Sequence, residues 1–195
     1  FVSYSNINKW RMENGKWRME NILDRWIISR LNQLIKEVTK FLEEYDAYRA
    51  TQMIEKFVLD LSQWYVRRSR DRIGEDFYQT LYEVLVNLCK ILAPFTPFLA
   101  EEIFKNLTHE ESVHLADWPD IDGKLIDENL EKQMEGVRKI CEIGHAKRKE
   151  AKIRVRQPLQ KLRIENGEWR IEEDLIQLIK DELNVKEVVF KEGKG

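Results

Sequence analysis

Arginines and large aromatic residues occur together in residues 59–72, where an apolar helical pattern ends. The run reads Leu-Asp-Leu-Ser-Gln-Trp-Tyr-Val-Arg-Arg-Ser-Arg-Asp-Arg. A guanidinium group can hold a phosphate through two parallel hydrogen bonds, and a neighbouring indole or phenol ring gives a base a surface on which to stack. The run therefore indicates contact with a nucleic acid. Its candidate contact residues are Trp64, Arg67, Arg68 and Arg70.

A second interpretation of this run stays open. Trp64 and Tyr65 also fit a helix core, and the arginines fit a solvated helix end paired with acids such as Asp60, Asp71 or Glu75. The arginines are nevertheless too close together to share one buried face. At least one of them is expected to reach solvent or a ligand.

Positive charge is also concentrated further along the chain. Between residues 138 and 163 ten Lys or Arg stand against two Glu, whereas residues 165–187 carry eight acids and three bases. The whole chain has a net charge of −2, so its charge is segregated rather than high. Such segregation suggests one surface that meets a polyanion. The candidate residues of this stretch are Lys147, Arg148, Lys152, Arg154 and Arg156.

Helical and strand spacing predict the directions in which the basic side chains of this stretch point. If the helix reaches Ala151, Arg148 and Lys152 share one stripe, and a following extended segment points Arg154 and Arg156 to a common side. The result would be a basic ridge. A solvated helix face is the alternative, since runs of lysine are commonly just that.

Apolar spacing predicts mostly helix up to about residue 151. Apolar residues recur every three or four positions in five segments, a pattern typical of amphipathic helices. The predicted helices run from about Leu23 to Tyr45, Ala50 to Tyr65, Phe77 to Ala93, Pro97 to Leu107 and Leu130 to Ala151. Asn21 and Asp24 are expected to cap the first helix as a box-like pair. The third must end near Ala93 because Pro94 follows, and Pro97 suits the first turn of the fourth.

The pattern changes after Ala151. Apolar and basic residues alternate from residue 153 to 164, which is typical of a strand. Asn166-Gly167 is a strong turn signal before Trp169-Arg170-Ile171, so we expect a β-hairpin here. A helix from about Glu172 to Leu183 and a strand from Lys186 to Phe190 would complete a small α/β part.

Four further sequence motifs, and the order in which they occur, can be compared with those of known protein families. They read Asp-Arg-Trp-Ile-Ile-Ser-Arg-Leu-Asn at 24–32, Leu-Ala-Pro-Phe-Thr-Pro-Phe-Leu-Ala-Glu-Glu-Ile at 92–103, Ser-Val-His-Leu-Ala-Asp-Trp-Pro at 112–119 and Ile-Arg-Val-Arg-Gln-Pro-Leu at 153–159. With the Trp-Tyr-Val-Arg-Arg-Ser-Arg run, they resemble the anticodon-binding helical domain of class I isoleucyl-tRNA synthetases. The valyl- and leucyl-tRNA synthetases are similar at some of these stretches and remain alternatives. The resemblance covers nearly the whole chain from about Tyr4.

The resemblance implies a fold class, a division of the chain and a partner. The fold class is mainly α, an antiparallel helical bundle with a small C-terminal α/β appendage. Residues 1–20 would form a linker or partial hairpin around Asn14-Gly15, residues 21–152 the bundle, and residues 153–195 the α/β subdomain. The implied partner is the anticodon stem-loop of tRNA(Ile), whose backbone would be positioned by phosphate and ribose contacts and whose unpaired bases would give discrimination.

The resemblance also implies a longer parent enzyme. That enzyme would attach isoleucine to its tRNA with ATP and Mg²⁺ in a catalytic domain outside this chain, and its remaining domains are implied partners. We expect no cofactor in the chain itself. The family's bundle begins with an earlier helix rich in arginine and asparagine, which does not precede Phe1. The chain is therefore expected to be a piece that binds tRNA weakly and with poor specificity.

The residue patterns favour no catalytic or metal site. Glu142-Ile143-Gly144-His145 differs by one residue from the ATP-binding signature His-Ile-Gly-His of class I synthetases, but it lies inside a helical pattern and no Lys-Met-Ser-Lys-Ser-like loop occurs. Cys89 and Cys141 are far apart, without partners at metal-ligand spacing, and are expected to be buried thiols.

The sequence also predicts the cellular location of the protein and leaves a second functional class open. No run of about eighteen uncharged apolar residues exists, and the first residues lack the layout of a signal peptide, so a cytoplasmic protein without membrane contact is expected. A helical protein-interaction or scaffold module without an RNA role remains the alternative function.

Overall fold

Apolar residues at helical spacing form six α-helices in the part of the chain described by the computed structural model, which comprises residues 19–72, 74–165 and 171–191. The helices are α1 (Ile22–Glu43), α2 (Ala47–Leu59), α3 (Glu75–Leu92), α4 (Pro97–Thr108), α5 (Glu128–Glu150) and α6 (Glu173–Leu183). Two strands, β1 (Leu159–Glu165) and β2 (Val185–Lys191), accompany them. The predicted fold class, mainly α-helical with a small C-terminal α/β part, is confirmed. The linker or hairpin predicted for residues 1–20 lies almost wholly outside the described residues.

The chain divides into two compact units, residues 1–127 and residues 128–195. The sequence predicted the division later, between residues 152 and 153. The difference arises because α5 uses its apolar stripe to pack against α6, which lies in the C-terminal unit.

Helix α1 is the central element of the first unit and packs against α2 and α3. Its Asn21 caps the first turn by accepting a 2.9 Å hydrogen bond from the amide of Leu23. Apolar side chains are buried on more than one face, among them Trp26 and Ile27 as well as Val38. Asp24 was expected to complete the cap, but its carboxylate points into the interior instead.

The turn between α1 and α2 is closed by two backbone hydrogen bonds, from Asp46 to Phe41 and from Tyr45 to Leu42. This is a Schellman arrangement, in which the residue after the helix cap takes a left-handed conformation that favours glycine. Here Tyr45 occupies it, with φ at 58° and a side chain that is 97 % exposed. The turn therefore keeps a strained backbone without any buried contact of the ring to compensate it.

Replacing Tyr45 by glycine is expected to stabilise the first unit by about 0.5–1 kcal/mol, since relief of the left-handed strain outweighs the greater freedom of the unfolded chain. Urea unfolding of the variant would measure the change. Glu43→Gly, two residues earlier in ordinary helical conformation, is the matched control and should destabilise by about 1 kcal/mol. Destabilisation by Tyr45→Gly of the same size would show that the tyrosine ring contributes something that its exposure does not reveal.

Helices α3 and α4 meet at a corner formed by residues 93–96. Helix α3 ends at Leu92, and Pro97 begins α4, both as predicted from the two prolines. A buried cluster of Cys89, Ala100, Phe104 and Val113 lies between these helices and the segment that follows them. The corner is therefore closed from one side by the chain around Val113.

The irregular segment from residue 112 to 127 is attached to α1 by polar side chains. Thr39 accepts from the indole of Trp118 at 2.9 Å, and Asn32 accepts from the amide of Asp122 at 2.9 Å. Ser29 accepts from the amide of Asp127, also at 2.9 Å. Because Ser29 and Asn32 are buried on α1, their hydrogen-bonding groups need these partners.

Glu101 of α4 fixes the beginning of this segment. Its carboxylate accepts from the hydroxyl of Ser112 and the amide of Val113, both at 2.9 Å, and forms an ion pair with Lys105 at 2.8 Å. The hydrogen bond from Lys105, followed by those from Val113 and Ser112, lowers the pKa of Glu101 from its ordinary 4.5 to about 2. The ionised carboxylate is thus the form that the fold stabilises.

The contribution of Glu101 should therefore be present above about pH 4.5 and be lost as the pH falls through about 2. The difference in unfolding free energy between the wild type and Glu101→Gln is expected to be constant near neutral pH and to shrink towards pH 2. Thermal unfolding followed across this pH range would measure it. Glu102→Gln, which removes a charge from the next residue, controls for net charge, and an identical pH dependence in both variants would contradict a specific role of Glu101.

The second unit contains a β-α-β arrangement, which the sequence did not predict. Strand β1 pairs in parallel with β2, with Leu159 opposite Val185 and Ile164 opposite Phe190, and α6 connects the two strands. Residues 166–170, which carry the Asn-Gly turn signal, lie outside the described residues, and Ile171 does not belong to a strand. The prediction of α6 and of the last strand is confirmed. The predicted pairing of β1 with the segment around Trp169 falls on residues outside the described part of the chain.

Candidate nucleic-acid interface

The arginine-rich run follows α2 through a widened helix. Residues Asp60–Val66 are π-helical, Arg67 and Arg68 continue the helix, and Arg70–Arg72 form one 3₁₀ turn. In a π-helix residues five apart lie above one another, and such segments occur frequently at functional sites. Asp60 and Tyr65, five residues apart, are accordingly both fully buried.

Arg72, which was not among the candidate contact residues, lies turned towards the interior. Its two terminal nitrogens donate to the carboxylate of Asp24 at 2.7 and 2.9 Å, and the hydroxyl of Tyr65 donates to the same carboxylate at 2.6 Å. Asp24 is 1 % exposed. The guanidinium carbon of Arg72 also lies 5.5 Å from the ring centre of Tyr65 and 5.7 Å from that of Phe77.

This Asp24 site joins the first turn of α1 to the end of the arginine run. Burial, and next the charge of Asp24, raise the pKa of Tyr65, so its hydroxyl remains a donor. Arg30 of α1 makes a second pairing with the run, because its Nε lies 3.3 Å from the buried carboxylate of Asp60. Two carboxylates in the interior thus hold the backbone that carries the other arginines.

The candidate residues nearest the Asp24 site differ in exposure. Arg67 and Arg70 are exposed, Trp64 and Arg68 are partly buried, and the Nε of Arg68 lies in the interior. Arg67 donates from its Nε to the carbonyl of Gln63 at 2.8 Å, and its guanidinium carbon lies 6.0 Å from the centre of the Trp64 ring. Trp64, Arg67 and Arg70 therefore form the outer surface of the run, which we call the Trp64 face.

Asp24→Asn tests this division of the arginines. The substitution leaves the partly buried charge of Arg72 without its carboxylate and is expected to lower the free energy of unfolding by roughly 3 kcal/mol. Urea unfolding of the first unit would measure it. Arg67→Gln and Arg70→Gln on the Trp64 face are matched controls and should change stability by less than about 0.5 kcal/mol. A cost at Arg70 as large as that at Asp24 would place Arg70 in the interior network as well.

In the second unit, Arg148 is buried and the other candidates are exposed. Arg148 is 5 % exposed and donates to four backbone carbonyls. Lys152 lies beyond the end of α5 with φ at 55°, so it does not share a helical stripe with Arg148. Lys147 pairs with Glu150 at 3.0 Å. The guanidinium group of Arg148 is consequently occupied inside the unit and does not face a ligand.

Arg154 and Arg156 are exposed, but they do not lie on a strand as expected. The amide of Gln157 donates to the carbonyl of Arg154 at 3.0 Å, which closes a four-residue turn, and β1 begins only at Leu159. The reason is that the carbonyls of this segment are bonded to Arg148 rather than to a neighbouring strand. Arg154 and Arg156 therefore lie in a turn, and Lys152 precedes it, so strand parity does not orient these side chains.

The tetrad Glu142-Ile143-Gly144-His145 does not fit a nucleotide. It lies within α5, and a Cβ on Gly144 would approach the side chain of Leu183 to 2.5 Å. His145 contacts the carboxylate of Glu182 at 3.2 Å. The glycine therefore serves the close approach of α6, and no phosphate could reach the backbone here.

Comparisons with known proteins agree with this geometry. A family model described as the anticodon-binding domain of tRNA ligase matches residues 24–164. The chain belongs to this family. It is 45 % identical to an isoleucine-tRNA ligase of Pyrococcus abyssi, over 85 % of the chain and 17 % of the relative, and 42 % identical to that of Thermococcus kodakarensis, over 97 % and 19 %. A Dehalococcoides mccartyi isoleucine-tRNA ligase is 42 % identical over 98 % of the chain and 21 % of its own length. The chain thus spans about a fifth of the curated relatives that it matches.

The described residues include neither a membrane-spanning helix nor a cluster of metal ligands. None of the helices there has the length and apolar character needed to cross a membrane. Likewise, in residues 19–72, 74–165 and 171–191 no group of three histidines, cysteines or carboxylates comes together as a metal site would require.

Sequence reasoning missed the carboxylate that turns Arg72 inward. Asp24 was interpreted as part of a helix cap, and Arg30 was not considered. The available signal was an acid within the apolar stripe of α1, one position after Leu23 and two before Trp26. A charged residue among buried neighbours requires a partner, and the arginines of the run were available candidates.

Proposed function

We propose that this chain binds the anticodon stem-loop of tRNA(Ile) as part of an isoleucine-tRNA ligase. The observation that carries the proposal is the Trp64 face, where two exposed arginines and a partly exposed indole lie on a backbone held by buried ion pairs. Membership of the anticodon-binding family and the names of the relatives support the same assignment.

The Trp64 face offers two kinds of contact that an RNA loop can use. Arg67 and Arg70 supply guanidinium groups for phosphate, and the indole of Trp64 supplies a stacking surface beside Arg67. In an RNA stem the deep major groove shows little readable sequence, so arginines would position the backbone while unpaired bases stack. A fixed platform suits this task because fewer side-chain and backbone freedoms are lost on binding.

The exposed lysine and arginine residues of the second unit form a separate proposed contact. Lys152, Arg154 and Arg156 are exposed around the turn before β1, and they would contribute phosphate contacts without reading bases. Lys147 would contribute less because Glu150 lies beside it.

The rest of the reaction belongs to the parent enzyme. The relatives carry the name isoleucine-tRNA ligase and are about five times longer than the matched region. We infer that ATP and Mg²⁺ are used by a catalytic domain outside this chain, that the remaining domains of the synthetase are its partners, and that the enzyme acts in the cytoplasm.

A scaffold role without RNA is the second candidate, favoured by one observation. Phe98 at the start of α4 is 91 % exposed, and Leu99 is 57 % exposed, which suits contact with another protein surface. The two functions differ in their response to salt. Where binding depends on phosphate contacts, the logarithm of the affinity falls linearly with the logarithm of the salt concentration. Affinity that depends on apolar contacts changes little with salt.

Charge reversal on the Trp64 face tests the proposal. Arg67→Glu and Arg70→Glu are each expected to weaken binding of a tRNA(Ile) transcript about tenfold and to reduce the slope of log affinity against log salt by about one. Fluorescence anisotropy at several salt concentrations would measure both quantities.

Lys56→Glu is the matched control, since Lys56 is exposed on α2 before the arginine run. It should reduce affinity less than either arginine variant and by a long-range effect only. Equal losses in all three variants would mean that net charge, rather than the Trp64 face, governs binding. Affinity that is unchanged by either arginine variant would remove this face from the interface.

A further inference from the structure

We propose that Arg148 is a positioning residue, which holds the turn at residues 154–157 so that Arg154 and Arg156 can contact the phosphates of the bound tRNA. The inference rests on the proposed function, in which Arg154 and Arg156 contact phosphate. Arg148 contacts no ligand itself. It acts through the backbone of the turn.

The contacts of Arg148 connect three parts of the second unit. One terminal nitrogen donates to the carbonyls of Arg154 and Gln157, both at 3.1 Å. The other donates to the carbonyls of Leu183 and Asn184, at 2.6 and 3.1 Å. The side chain thus joins the turn to the end of α6 from its own position on α5.

The chemistry of this position requires arginine. A guanidinium group has donors in a fixed planar fork and can serve two pairs of carbonyls on opposite sides, whereas an ammonium group has three donors at one point. The carbonyls of Leu183 and Asn184 lie at the C-terminal end of α6, where the helix dipole favours a positive charge. These carbonyls compensate the cost of burying the guanidinium group.

Asn184 also holds the turn. Its side-chain amide donates to the carbonyl of Val155 at 2.9 Å, and its own carbonyl accepts from the amide of Leu159 at 3.0 Å. The carbonyls of residues 154, 155 and 157 therefore all accept hydrogen bonds from Arg148 or Asn184. The side chains of Arg154 and Arg156 remain exposed on a fixed backbone.

A fixed turn matters because phosphate contacts by flexible loops are weakened by the ordering that binding imposes. With the backbone held, only the two arginine side chains lose freedom when the RNA arrives. Loss of Arg148 should therefore reduce the contribution of Arg154 and Arg156 without removing either group.

A double-mutant cycle on the 195-residue chain tests this dependence. The positioning variants are Arg148→Lys and Asn184→Gly, each made alone and together with Arg154→Gln/Arg156→Gln. Asn184 has φ at 47°, so glycine keeps the backbone conformation and removes only the bond to Val155. Binding of a full-length tRNA(Ile) transcript is measured over a range of salt concentrations, and circular dichroism confirms that each variant is folded.

We expect Arg148→Lys to weaken binding about tenfold and Asn184→Gly about threefold, with a smaller salt slope in both. Both effects should vanish in the Arg154→Gln/Arg156→Gln background, because nothing is left to position. Arg163→Gln, which removes an exposed charge from β1, is the matched control and should have the same small effect in both backgrounds. If Arg148→Lys does not fold, Asn184→Gly alone decides the test.

Two outcomes would overturn the proposal. Equal losses in both backgrounds would mean that Arg148 acts on binding by another route, and full affinity in Asn184→Gly would mean that a held turn is not needed. Failure of the proposed function looks different. In that case the wild-type chain itself would bind tRNA(Ile) without salt dependence, or not at all.

Discussion

The buried carboxylate of Asp24 is the constraint from which the arrangement of the first unit follows. An ionised carboxylate in the interior is tolerated only when its oxygens are bonded, and here Tyr65 and both terminal nitrogens of Arg72 supply the donors. Because the donors come from the run after α2, the start of α1 and the end of that run must lie together. Tyr65 and Arg72 of the run are held by Asp24, and the helical geometry of the run then sets the directions of its other side chains.

That geometry is π-helical, and it separates inward from outward residues. In an α-helix, residues five apart point in different directions, so Asp60 and Tyr65 could not both face α1. The wider π turns bring them to one face, where Asp60 meets Arg30 and Tyr65 meets Asp24. Trp64 and Arg67 lie beside this face and form the outer surface instead. A segment that is joined to α1 through its own Asp60 and through Asp24 of α1 thereby presents an aromatic ring and guanidinium groups outside.

The sequence was sufficient for most of the helices and insufficient for these pairings. Apolar spacing and the two prolines predicted α1, α3 and α4 because such signals act within a few residues. The parallel pairing of β1 with β2 could not be predicted, since it joins segments separated by a whole helix, whereas Asn166-Gly167 suggested a local hairpin. Arg148 was misleading for a similar reason. Within a basic run it resembles a surface residue, and only the folded chain brings four carbonyls around it.

The two internal arginines illustrate one rule about arginine-rich sequences. Arg72 finds a buried carboxylate and Arg148 finds the carbonyls at a helix end, and in both cases an acceptor set from another element satisfies the guanidinium fork. Where the fold provides such acceptors, an arginine becomes part of the interior and stabilises the backbone. Where it provides fewer, as at Arg70 and Arg154, the side chain stays exposed. A basic run can therefore supply both a rigid support and the groups that this support presents to a polyanion, and counting its charges alone cannot tell the two apart.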